Sequence, residues 1–160
     1  MTLSSRVLPF ALLTVVVATV GAAVAYAVLA SAKLPEGPVD IVWDKEACAH
    51  CHMHVGEPAF AAQVQLHNGA VLNFDDPGCM MTWLKQHTVT KQPSSEPRAI
   101  YVRHYKQDRW LSQTEAAFVD HLTTPMGFGL GAVDRSEPGA LPWPQAEARV
   151  LQKSAERGSR

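Results

Sequence analysis

Apolar residues dominate the first part of this chain. From Val7 to Ala32 only Thr14, Thr19 and Ser31 interrupt the apolar side chains. The run exceeds the ~20 residues that a helix needs to cross a bilayer, and a secretory signal has an apolar core of only about 7–15 residues. The pattern predicts an uncleaved membrane anchor over residues 1–33.

Two sequence features next to the apolar run concern processing and orientation. Ala30-Ser31-Ala32 has the A-x-A form that a signal peptidase cleaves, so a removed signal remains the alternative. The basic Arg6 before the run favours an inside N-terminus. The expected location is therefore the inner membrane, as a single-pass protein whose domain faces the periplasm.

Alternating residues between Phe60 and Phe74 predict a β-hairpin. A three-residue loop ending at Gly69 pairs Val64 with Leu72, which gives one apolar face and one polar face. The pattern thus indicates a half-buried strand, with Gly69 in the left-handed region.

A helix should follow the hairpin, with Asp76 as its N-cap and Pro77 as its first residue. The apolar face repeats at helical spacing, at Met80, Trp83, Leu84 and His87. Met81 falls on the opposite face and is expected at the surface.

A second strand–strand–helix succession follows. Residues 100–105 alternate, Trp110-Leu111 begin a partner strand, and a final helix is predicted from Pro144 to about Ala155. Residues 116–121 are either a short helix after a capping box or a strand. The fold class is therefore α+β, with a small domain of two ββα units over 34–134 and a C-terminal helix and frayed tail over 135–160.

The net charge and the number of cysteines limit the classes of function that this chain can have. The 160 residues hold 14 Lys+Arg and 15 Asp+Glu, a net charge of -1, so no basic composition indicates nucleic-acid binding. Three cysteines cannot all be used in structural disulfides within one chain.

The segment Cys48-Ala-His-Cys-His-Met-His54 is dense in metal donors. In an extended strand, Cys51 and Met53 would face one side, and the three imidazoles would face the other. The sulfur face suits Cu(I), and the imidazole face suits Cu(II) or Zn(II). The candidate ligands with imidazoles are His50, His52 and His54.

Three chemistries fit the Cys48-x-x-Cys51 spacing. They are a metal site, a c-type haem attachment in which His52 completes C-x-x-C-H, and a thiol-disulfide oxidoreductase pair. Cys79, in the first turn of the predicted helix, is either an auxiliary ligand or a small buried residue. Capping accounts for Asp75 and Asp76.

Several blocks in order resemble the NosL family, the periplasmic copper-binding accessory proteins of nitrous oxide reductase maturation. They are Cys48…Cys51-x-Met53, Ala61-Ala62-Gln63, Phe74-Asp75-Asp76…Cys79-Met80, Tyr101-Val102 and Thr124-Pro125-Met126-Gly127-x-Gly129. The resemblance implies two ββα units and Cu(I) delivery by a protein that is not an enzyme. It also implies copper roles for Cys51, Met53 and Met126. No lipobox cysteine follows the apolar run, so the helix would replace the family's lipid anchor.

The resulting expectation is a membrane-tethered copper chaperone. Its metal ligands would be Cys48, Cys51, Met53 and Met126, with His50, His52 and His54 tuning affinity or handing the ion on. The expected partners are copper, most simply Cu(I), and an exported copper enzyme such as nitrous oxide reductase, or a metal-transfer membrane complex.

Overall fold

The structure is a computed structural model that describes residues 7–31, 34–87 and 96–158. It divides into two compact units, Met1–Pro35 and Glu36–Arg160, and each is described by itself. In the first unit, helix α1 (Val7–Ser31) forms from the apolar run, and its side chains from 12 to 27 are exposed.

Helix α1 does not support the predicted membrane anchor. Among the described residues, no helix combines the length and the apolar character required to cross a membrane. Arg6 and the last residue of the Ala30-Ser31-Ala32 pattern lie outside the described residues.

The second unit contains a four-stranded antiparallel sheet. Its strands are β1 (Ala62–Leu66), β2 (Val71–Phe74), β3 (Pro97–Arg103) and β4 (Trp110–Ser112), in the order β2-β1-β3-β4. The register pairs Val64 with Leu72, and Gly69 has a φ of 89°. The predicted hairpin, with its left-handed glycine, is confirmed.

Strand β1 is buried on both faces, which corrects the half-buried interpretation. All five of its residues are buried, including Gln63 and Gln65. Residues 37–39 pass over the polar face: Val39 donates to Gln63 Oε1 at 2.8 Å, and Gln65 Nε2 donates to the Gly37 carbonyl at 2.6 Å. The alternation of residues identified the two faces of the strand correctly. The side-chain amides of the polar face, however, form hydrogen bonds with the protein chain and not with solvent.

Helix α2 (Pro77–His87) begins where the capping residues predict. Asp76 Oδ1 accepts a hydrogen bond from the Gly78 N–H at 2.8 Å, as an N-cap side chain does. The surface expectation for Met81 is wrong, because this side chain is fully buried. Every residue from Pro77 to Trp83 is buried, so the first two turns are enclosed on all sides.

The second half is larger than a ββα unit. After β4, strands β5 (Ala116–Val119) and β6 (Gly131–Asp134) form a separate two-stranded sheet, followed by helix α3 (Trp143–Gly158). The capping-box contact forms, since Glu115 accepts from the Ser112 N–H and Oγ, but a strand follows it. Burial of Phe118 against Trp143 favours this strand over a helix. Helix α3 packs on α2 and β5 within the same compact unit.

Candidate metal centre

The donor segment is a closed turn, which corrects the expectation of an extended strand with two faces. Cys48 N–H donates to the Met53 carbonyl at 2.8 Å, and His52 N–H donates to the Cys48 carbonyl at 3.0 Å. Ala47 and His54 pair across the base of the turn. His52 has a φ of 63°, a left-handed conformation that is uncommon for a residue with a side chain. The turn therefore redirects the donors, and strand alternation does not apply.

This cysteine turn (residues 47–54) is attached to the end of strand β2. Ala49 N–H donates to the Asn73 carbonyl at 2.9 Å, and the Asn73 side-chain amide donates to Glu46. Two residues after Asn73 comes Asp75, and Cys79 lies in the first turn of α2. The strand end, the helix start and the cysteine turn thus meet at one point.

At that point three thiols and a carboxylate converge. Cys48, Cys51, Asp75 and Cys79 each present a ligand atom, and these atoms all lie within 4.8 Å of one another. The distances from Cys51 Sγ to the two Asp75 carboxylate oxygens are 3.5 and 3.6 Å. Cys48 and Cys79 have no exposed surface, whereas Cys51 is half-buried. We call these four residues the Cys3Asp cluster; its composition and closeness are those of a metal site.

The three thiols of the Cys3Asp cluster differ in pKa. A hydrogen bond from Cys79 lowers the pKa of Cys48 to about 7, although burial acts in the opposite direction. The same hydrogen bond, together with burial, raises the pKa of Cys79. Burial also raises the pKa of Cys51 to about 12. One thiolate is therefore available near neutral pH, and a metal must displace protons from the other two sulfurs.

A cleft of about 270 Å³ leads to the cluster. We call it the metal cleft, and its lining residues are His50, Cys51, Cys79, Thr82, Gln86, Met126, Phe128, Ser154 and Arg157. Because Cys51 is the half-buried member of the cluster and lines this cleft, the cleft offers an ion a route to the sulfurs.

The loop 124–129, the Met126 loop, is held beside α2 by a buried carboxylate. Asp76 Oδ2 accepts hydrogen bonds from Thr124 Oγ1 at 2.5 Å and from the Met126 N–H at 3.2 Å. Burial raises the pKa of Asp76, and these hydrogen bonds oppose that shift. Gly127 and Gly129 have φ values of 65° and 84°, which other residues rarely adopt.

The other predicted ligands lie outside the cluster. His50 lines the metal cleft and is half-buried; desolvation, and then the neighbouring His52, lower the pKa of its imidazole. His52 and His54 are exposed, and Met53 is 56% exposed. The structure therefore brings Cys48, Cys51, His50 and Met126 to one site and leaves three donors on the outside of the cysteine turn.

Asp75 was missed as a ligand, and Cys79 was left undecided between a ligand and a core residue. An N-cap needs one acidic side chain, and Asp76 fills that role, so the second carboxylate was a usable signal. The sequence signal for Cys79 was its position at a helix start, which favours a thiolate, although in the structure the hydrogen bond with Cys48 and burial raise its pKa. The sequence could not show that strand β2 holds the cysteine turn beside the start of helix α2.

Comparison with known proteins agrees with this geometry. No curated protein and no solved structure matches the chain significantly. The family model NosL matches residues 38–140, which include the whole Cys3Asp cluster and the Met126 loop. That family indicates a copper-binding accessory role, and the cluster is a potential metal site that agrees with it. Because the match covers more than half of the sequence, the chain belongs to the NosL family.

Proposed function

We propose that this protein is a Cu(I) carrier that binds the ion at the Cys3Asp cluster and delivers it to an exported copper enzyme. The observation that carries the proposal is the convergence of three thiols and one carboxylate within 4.8 Å of one another. Thiolates are soft ligands and favour Cu(I) among the ions they can hold. The protein then acts as a carrier and not as an enzyme, and the ion is its cargo.

Met126 provides a second soft donor type at the entrance to the cluster. A thioether is neutral, so it binds Cu(I) without adding charge to a site already rich in thiolates. In this proposal Cys51 and Met126 receive the ion in the metal cleft, and Cys48 and Cys79 hold it. The exposed Met53, His52 and His54 make the first contacts or hand the ion on.

The burial of Cys48 supports metal binding over covalent haem. A c-type haem needs both cysteines of Cys48-x-x-Cys51 on the edge of the porphyrin and His52 as an axial ligand. Here Cys48 has no exposed surface and shares a hydrogen bond with Cys79, while His52 is exposed on a left-handed turn. This geometry suits a small ion better than a macrocycle.

The proposed client is nitrous oxide reductase or another exported copper enzyme, and the proposed location is the periplasmic side of the inner membrane. Family membership and the cysteine cluster support copper binding, on which the choice of client and location depends. Delivery requires that the ion leave, and a cleft with a half-buried thiol allows a partner's ligands to approach. Transfer of copper to the metal-free enzyme, followed by its recovered activity, tests the client.

A Cu(I) titration tests the binding site. The reduced full-length chain should take up one Cu(I), and X-ray absorption should show a first shell dominated by sulfur. Oxidation to a disulfide should abolish this uptake, because the thiolate and not the disulfide binds metal. Equal, tight uptake by the oxidised chain would contradict the role of the cysteines. A red protein with a Soret band would instead establish the haem alternative.

A further inference from the structure

Helix α3 lies beyond the segment that matches the family, yet it forms one wall of the metal cleft. The match ends at residue 140, and α3 begins at Trp143. Ser154 and Arg157 line the cleft together with Cys51 and Cys79. Ser154 Oγ also lies 3.2 Å from the Thr82 hydroxyl of α2, which joins the two helices beside the cleft. The final turns of α3 therefore belong to the site.

Arg157 contacts three successive residues of the Met126 loop. Its Nη1 donates to the Met126 carbonyl at 2.9 Å, and its Nη2 donates to the Gly127 carbonyl at 3.1 Å. The guanidinium carbon lies 4.8 Å from the centre of the Phe128 ring. A planar guanidinium can make two parallel hydrogen bonds and stack at the same time, which a lysine ammonium cannot. Arg157 thus defines the orientation of this part of the loop.

The Met126 peptide groups are held from two sides. Its N–H donates to Asp76 Oδ2 at 3.2 Å, and its carbonyl accepts from Arg157. Asp76 precedes α2, and Arg157 lies in the last turn of α3. Asp76 is acidic and Arg157 is basic, and each holds one backbone group of Met126. Because the backbone of Met126 is held at both groups, the direction in which its side chain leaves the backbone is restricted. The side chain that they place is the one that lines the metal cleft.

From these contacts we infer that Arg157 is a positioning residue that fixes the Met126 thioether over the Cys3Asp cluster. The inference rests on the proposed function of Cu(I) binding. Before the ion arrives, the loop already has the arrangement that binding requires, so less ordering accompanies binding. This role comes from α3 and therefore adds to what the family match covers.

The test compares Arg157→Gln with Met126→Leu and with the double variant in the full-length chain. Competition with a chromophoric Cu(I) chelator gives the affinities. Arg157→Gln should weaken binding about 10-fold, the size typical of residues that orient a ligand. In the Met126→Leu background it should have no further effect, because residues acting through one another are not additive. Arg157→Lys should bind Cu(I) almost as weakly as Arg157→Gln, since lysine keeps the charge but loses the paired hydrogen bonds.

Arg149→Gln is the matched control. Arg149 is the same residue type on the same helix, pairs with Asp120, and does not line the metal cleft. Its replacement should leave Cu(I) affinity unchanged. A loss as large as that of Arg157→Gln would mean that general loosening of α3 lowers the affinity, and it would overturn the positioning role.

Amide hydrogen exchange without metal gives an independent readout. Arg157→Gln should speed exchange at Met126, Gly127 and Gly129, while the sheet amides keep their protection. Unchanged exchange in the loop would overturn the inference even if the wild-type chain binds Cu(I) as proposed. An equal loss of affinity in both the wild-type and Met126→Leu backgrounds would also overturn it. Failure of the wild-type chain to bind Cu(I), with faster loop exchange in the variant, would instead contradict the proposed function alone.

Discussion

The two sides of the metal cleft are built by different kinds of interaction. On the cysteine side, backbone hydrogen bonds close a short turn and join it to strand β2, and two of the three thiols are fully buried. On the methionine side, a loop with two left-handed glycines is held by the side chains of Asp76, the N-cap of α2, and of Arg157 in α3. On the proposed function, we infer that the buried thiols of the cysteine side contribute most of the Cu(I) affinity, whereas the Met126 thioether, held in place by Asp76 and Arg157, contributes less.

Loss of a buried thiol from the cysteine side should have the largest effect on Cu(I) affinity. Cys79→Ser changes the volume little but removes a soft donor from the cysteine side. Cu(I) affinity should fall by more than about 100-fold, beyond the range seen when only a supporting residue is lost. Chelator competition measures this effect.

Met81→Leu controls for disturbance of helix α2. Met81 is fully buried in the same helix and does not line the metal cleft, so its replacement should leave the affinity unchanged. If Cys79→Ser bound Cu(I) as tightly as the wild-type chain, the cluster would not be the binding site.

Removal of the thioether should have an intermediate effect, because Met126 offers a single neutral donor beside three thiols. Met126→Leu should weaken Cu(I) binding about 10-fold, while the free energy of unfolding without metal changes by less than about 1.5 kcal/mol. Chelator competition and denaturant unfolding separate the two quantities. A loss of stability with unchanged affinity would make Met126 a packing residue.

The sequence predicted the elements around the metal cleft better than the path of the chain in the cysteine turn. The β1–β2 register, the cap at Asp76 and the start of α2 follow from local rules of pairing and capping, and the structure confirms them. Backbone hydrogen bonds within residues 48–53 close the turn at His52, whereas the covering of β1 by residues 37–39 depends on distant contacts, and strand alternation failed at both places. Cys79 and Asp75 are candidate ligands only because β2 and α2 meet beside the cysteine turn.

The exposed imidazoles should affect Cu(I) least. His52 and His54 lie outside the Cys3Asp cluster, so changing both to Asn should alter Cu(I) affinity by no more than about threefold. Weak Cu(II) uptake, which needs deprotonated imidazoles, should disappear in the same variant. Titrations with each ion measure both effects. His50→Asn is the comparison, because His50 lines the metal cleft, and a larger Cu(I) effect there would extend the site to this histidine.

The smallest effect concerns an ion pair outside the metal cleft. Arg109 holds the pKa of Asp134 below its usual value of 3.8. A carboxylate whose pKa is lowered by folding stabilises the native state above its unfolded pKa, and this contribution is lost as the pH falls through the native pKa. Asp134→Asn should therefore lower Tm slightly at pH 7 and not at pH 2. A constant difference in Tm across that range would exclude the ion pair as its source, and Cu(I) affinity should not change.

The polar face of strand β1 has a consequence for dissecting this protein into fragments. Gln63 and Gln65 are almost fully excluded from solvent, and they bond to the backbone at Val39 and Gly37. Release of residues up to Val39 by a protease would remove one hydrogen bond from each amide nitrogen, while Gln63 Nε2 would still donate to Asn73 Oδ1 and Gln65 Nε2 to Gln63 Oε1. The family-matched stretch begins at residue 38, inside this crossing, and ends before α3. The matched stretch therefore leaves out Gly37, which accepts a hydrogen bond from Gln65, and helix α3, which packs on α2 and β5.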